Sequence, residues 1–132
     1  MDISFVTVLI AAVVNFFIGF LSHGPVGGKL WMRLANVVPT GNEKMSDMVP
    51  QMLWNLFGNI VFAYVLAMLM VSTSVVGVYE GMMLAFWVWL GFVVTSTSIN
   101  VIWMKMSFKL WLFEVVSSLV CILAMGAIIA AW

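Results

Sequence analysis

Apolar residues fill this 132-residue chain in long unbroken runs, and polar residues interrupt them at only a few places. Four runs stand out, over roughly residues 3–21, 50–71, 80–103 and 108–132. A helix crossing the hydrocarbon core of a bilayer needs about 20 mostly apolar residues, and each run is of that length. The apolar positions follow one another without alternation, which argues against strands and a β-barrel. An α-helix satisfies its backbone groups internally, so a helical bundle is what lipid permits. The pattern predicts an all-α integral membrane protein, with four transmembrane helices forming a single domain over residues 1–132. The first run reads as a span rather than a signal peptide, because it follows Asp2, has no basic residue before it and is long.

The connection between the first two runs has a different pattern. In "LWMRLANVV", Leu30, Trp31, Leu34 and Val37/Val38 fall near helical spacing, with Lys29 and Arg33 at i and i+4. This predicts a short amphipathic helix lying in the interface on the cytoplasmic side. Lys29, Trp31 and Arg33 would anchor it at the lipid headgroups. The glycines around Pro25 predict a bend where the spanning helix meets the flat one. "PTGNEKMSDMVP" reads as a polar loop. The same region is not a phosphate-binding loop. Gly24 and Gly28 are one residue too close, Leu30 follows Lys29 where a hydroxyl is needed, and no strand precedes it.

Composition agrees with a lipid solvent. Hydrophobic residues are 65% and charged residues 8%, against about 45–50% and about 25% in soluble domains. The net charge is zero, so nucleic acid is not an expected partner. Cys121 is the sole cysteine, which excludes an intrachain disulfide and a multi-cysteine metal site. His23 is the sole histidine, so no metal site and no cofactor are expected. No Ser-His-Asp set or carboxylate pair is present, which points away from an enzyme. A lipid- or quinone-modifying enzyme ranks third for the same reason.

Charge placement sets the expected orientation. Lys29, Arg33 and Lys44 lie between the first and second runs, and Lys105 and Lys109 flank the turn between the third and fourth. The positive-inside rule places these connections in the cytoplasm, with both termini and the 72–79 turn outside. The expected location is a bacterial inner membrane.

That orientation puts the intramembrane polar residues at one depth. Asn15, Asn55, Asn59, the "TSTSIN" run with Thr97 and Asn100, and Glu114 all fall in the cytoplasmic half. Asn55 and Asn59 are four apart and share a helix face. A charge at the membrane centre costs about 2.5–3.5 kcal/mol, so Glu114 is a functional candidate by default. The expected site is a cytoplasm-facing polar pocket. Glu114 would carry charge or proton, the asparagines and Thr97 would orient a ligand, and His23 would stand at the rim. The competing reading is structural, since interhelical hydrogen bonds contribute about 0.6 kcal/mol each. Two functions remain open. One is an oligomeric protein that handles a small solute or an ion such as a proton or another cation. The other is a non-catalytic accessory or assembly subunit of a larger membrane complex. In either case the partners are membrane lipid and further membrane subunits. The apolar outer half argues against a permanently open pore.

Several motifs resemble a known family. Gly19, Pro25, Gly28, Lys29, Trp31 and Met32 are similar to its glycine, proline turn and "GK-x-WM" pattern. Glu80 and Gly81, Trp89 to Phe92, Thr95 and Asn100 resemble its Glu-Gly start, "W-L-G-F" run and Thr…Asn end. Lys109, Leu110, Gly126 and Trp132 match its closing segment. The family is the uncharacterised bacterial membrane family called domain of unknown function 1761. The resemblance implies four spanning helices and no particular activity. Glu114 stands where the resemblance leads one to expect asparagine.

Overall fold

The computed structural model describes residues 3–23, 27–35 and 49–131. The expected bend at Pro25 and the polar loop holding Lys44 lie outside the described residues. Helix α1 is Phe5–His23, α2 is Gly28–Ala35 and α3 is Val49–Ser72. The third span, Gly77–Trp103, consists of α4 (Gly77–Val88), a π-helical turn (Trp89–Val94) and α5 (Thr95–Trp103). Helix α6 is Phe108–Ala131. Four helices are thus long and apolar enough to cross a membrane, and the described residues contain no strand.

Local chemistry explains where these helices stop. Helix α1 reaches His23, two residues beyond the apolar run, because Nδ1 of His23 bonds the Gly19 carbonyl at 3.0 Å. Helix α3 closes through a double bond of the Schellman type. The Val75 amide donates to the Met70 carbonyl, the Ser74 amide donates to the Val71 carbonyl, and Ser74 takes φ 56. The third span begins three residues before the apolar pattern suggests. Glu80 accounts for this, since its carboxylate accepts the Val76 amide at 2.7 Å and holds the first turn.

The spans lie in the order α4, α6, α1, α3, with extensive packing between each neighbouring pair. Helix α3 touches α6 and α4 only sparingly, and α5 touches α6 but neither α1 nor α3. Lipid offers no hydrophobic force to drive helices together, so close packing of small residues has to do it. Small residues sit at two of these three contacts. Ala11 and Ala12 of α1 and Ala63 and Ala67 of α3 are buried in one cluster with Leu66, Met70, Met125 and Ile129. Helices α4 and α6 meet through Gly81, Ala85, Gly126 and Ala130. This cluster fills the end of the bundle away from the lysines and arginines.

The other end is built with larger residues. The Trp89 indole N–H donates to the Val115 carbonyl at 2.8 Å and to Ser118 Oγ at 3.2 Å. The Trp111 indole N–H donates to Thr97 Oγ1 at 3.0 Å. These two ties hold the third span to α6 while α3 stands apart from α5. The fold therefore narrows at one end and splays at the basic end.

Candidate functional site

The splay encloses a cavity of about 580 Å³. Helix α1 contributes Asn15, Phe16, Gly19, Phe20 and His23 to its wall. Helix α3 contributes Met52, Asn55, Gly58, Asn59 and Phe62, a helical face at three- and four-residue spacing. Helix α6 contributes Glu114, Ser117 and Ser118, and deeper down Cys121, Ile122 and Met125. The third span supplies Val93 alone. Asn55 and Glu114 stand at equal depth, each six residues beyond the first residue of its helix, or about 9 Å.

Glu114 pairs with His23. Both carboxylate oxygens lie 3.0 Å from Nε2 of His23. The Gly19 carbonyl on the other side of the ring can only accept, so Nδ1 carries a hydrogen. Nε2 then either donates to an ionised carboxylate or accepts from a protonated one. Each arrangement holds one shared proton and has no net charge. A neutral pair costs the membrane less than a lone carboxylate would. The side chains are 31% and 38% exposed, so the pair opens onto the cavity.

Aromatic rings fix the histidine. Trp31 meets it edge-on at 5.4 Å and Phe113 at 5.5 Å. Trp31 belongs to α2, which packs on α1 and α6. Lys29 and Arg33 are exposed on the outer side of α2. Gly27 permits this docking, because a Cβ there would collide with the Ser22 carbonyl and reach within 3.2 Å of Phe113.

The family model described as "Protein of unknown function (DUF1761)" matches residues 6–130. The chain belongs to this family. No curated protein and no solved structure matches it. The family description assigns no activity, so any functional reading of this DUF1761 chain rests on its own geometry.

That geometry sorts the residues proposed from sequence. Asn15, Asn55, Asn59, Glu114 and His23 share the cavity wall. Asn15 donates to Asn59 Oδ1 at 3.1 Å, tying α1 to α3. The asparagines expected beside Glu114 thus pair with each other, while His23 takes the carboxylate. Among the described residues the Asn55 amide has no partner. Thr97 and Asn100 do not line the cavity. The Thr97 hydroxyl donates to the Val93 carbonyl at 2.6 Å and accepts from Trp111. Thr95 likewise bonds Gly91, and Ser96 bonds Phe92. These three carbonyls belong to the π-helical turn, where the regular backbone ladder is disturbed. Three hydroxyls of the run therefore serve the helix's own backbone. The Asn100 backbone carbonyl accepts the Met104 and Met106 amides and ends α5. Sequence reasoning missed the lining serines, Ser117 and Ser118, as members of the site. Their i+3 and i+4 spacing from Glu114 was the signal that would have included them.

Proposed function

We propose that this chain is a small polytopic membrane protein that binds and handles a small solute or ion, with a proton or another cation as the leading candidate. Its site would be the cavity around Glu114 and His23, open to the cytoplasm because all five lysines and arginines fall at that end of the sequence pattern. On this reading both termini face outward in a bacterial inner membrane, and the protein works as an oligomer. The observation that carries the proposal is the cavity of about 580 Å³. It gathers polar side chains from three helices around a carboxylate that lies 3.0 Å from a histidine nitrogen. Cavities of about 300–1,000 Å³ are the usual size for small-molecule sites. The pair sets an acid beside a base at the cavity wall, the residue types that proton exchange with an occupant requires. The small-residue seal at the opposite end argues for a gated site over an open channel.

The test is proton and cation flux in liposomes reconstituted with the wild type and with Glu114→Gln. Flux that requires Glu114 supports the proposal. Flux equal in both removes Glu114 from the mechanism. A protein that carries no flux, binds nothing and co-purifies with one defined membrane partner would favour the accessory-subunit role.

A further inference from the structure

Among the described residues the cavity lacks a fourth wall. Helices α1, α3 and α6 line it, and the third span supplies only Val93. Helix α5 leans on α6 and makes no contact with α3, so among the described residues the basic half of the bundle is open sideways between α3 and α5. In a bundle that spans a membrane, such a sideways gap faces lipid. The lining is mixed toward the mouth, where Met52 and Phe20 stand beside Asn55, Glu114 and Ser117, and it is apolar at the floor, at Phe62, Ile122 and Met125.

We propose that the cavity admits a membrane-soluble molecule sideways from the bilayer, one with an uncharged hydrogen-bonding head and an apolar body. This rests on the preceding reading that the cavity is a binding site, and it names an uncharged solute, rather than a cation, as the occupant. The charge pattern selects the head. Glu114 and His23 are the only ionisable acid or base side chains of the described wall apart from the Cys121 thiol, and they occupy each other. No free cation is left there to hold a phosphate and no free carboxylate to hold an amine. The Asn55 amide, which has no partner among the described residues, offers a donor and an acceptor, which suits a hydroxyl, amide or carbonyl head. The apolar floor then takes the body of the molecule.

Two glycines support a cavity kept open for an occupant. At Gly19 and Gly58 a Cβ would meet nothing within 4 Å, and both residues line the wall. Neither takes the positive φ that would call for glycine. Glycine inside a helix is unfavourable by about 1 kcal/mol relative to alanine, so local structure does not explain Gly58. A side chain at that position would enter the cavity.

The test uses a monoacylglycerol carrying a diazirine and an alkyne on its acyl chain, with the protein in phosphatidylcholine nanodiscs. Photolabelled peptides are mapped by mass spectrometry. The expected result is labelling of the Cys121–Met125 segment, reduced several-fold by Gly58→Leu and less by Gly58→Ala. Labelling of the lipid-facing Trp54 segment should stay constant and reports that both variants are folded. Floor labelling that is absent, or unchanged in both variants, overturns the proposal. Cross-linking between copies of a Trp54→Cys variant, together with an unlabelled floor, would place a second copy in the gap and also overturn it. The two readings separate cleanly. Flux that depends on Glu114 with an unlabelled floor refutes sideways access alone, whereas a labelled floor without flux refutes the ion alone.

Discussion

Gly126→Ala adds one methyl group where the structure leaves no space for it. Its Cβ would lie 2.7 Å from the Ala85 Cβ and 3.0 Å from the Gly81 carbonyl oxygen. Carbon atoms rest at about 3.5–4.0 Å, so α4 and α6 would have to part by about 1 Å. Neither obstacle is a flexible side-chain end that could swing aside. Overpacking of this kind costs about 1–3 kcal/mol. Alanine returns about 1 kcal/mol through helix propensity. The net expectation is a loss of up to about 2 kcal/mol. Gly58→Ala is the matched control, because its Cβ would meet nothing within 4 Å. There the propensity gain is unopposed, and stability should rise by about 0.5–1 kcal/mol. The assay is unfolding by sodium dodecyl sulfate in mixed micelles, followed by the fluorescence of the seven tryptophans. The two variants should shift in opposite directions for the same chemical change. If Gly126→Ala is more stable than the wild type, or if both variants move the same way, the close α4–α6 crossing is refuted.

Three further outcomes follow from single contacts. Thr7 is 2% exposed and its hydroxyl has no partner, so Thr7→Val should stabilise the protein by about 1 kcal/mol in the same unfolding assay. His23→Gln removes the ionisable partner of Glu114. Because both side chains are about one-third exposed, cavity water should limit the loss to about 1 kcal/mol, and a double-mutant cycle with Glu114→Gln should show coupling. Glu80→Gln keeps a hydrogen-bond acceptor for the Val76 amide but loses the charge at the start of α4. It should cost about 0.3–1 kcal/mol, and less at high salt.

The architecture was legible in the sequence because lipid imposes a coarse rule: a spanning helix must be apolar along its whole length. The shared face of Asn55 and Asn59 was legible too, since four residues make nearly one helical turn. The pairing of Glu114 was not. His23 lies 91 positions away, and nothing local shows that α1 and α6 become neighbours while α3 stays outside. The run from Thr95 to Asn100 misled for a different reason. A hydroxyl in a helix can bond the carbonyl one turn back, and composition does not tell this use from a ligand-binding one. The π-helical turn over "WLGFVV" leaves no hydrophobic signature, so the carbonyls that those hydroxyls serve were invisible as well.

The cavity and the intramembrane charge have one common cause. Helix α6 meets its neighbours through Gly126 and Ala130 at one end and through tryptophan ties near the other. A helix pair that touches through glycine and then through indole rings has to diverge, and the π-helical turn lies where the third span changes from one contact to the other. Divergence opens space beside α6 at the level of Glu114. A carboxylate packed between closed helices would carry the full cost of an apolar surrounding. Beside an opening, and neutralised by His23, it carries much less. The charged pair is therefore tolerable only where the bundle is open, and the bundle is open there because the residues that set helix spacing grow larger toward the basic end. Replacing Trp111 with a small residue would release α5 from α6, and the cavity around Glu114 would lose the tie that holds the third span away from α3.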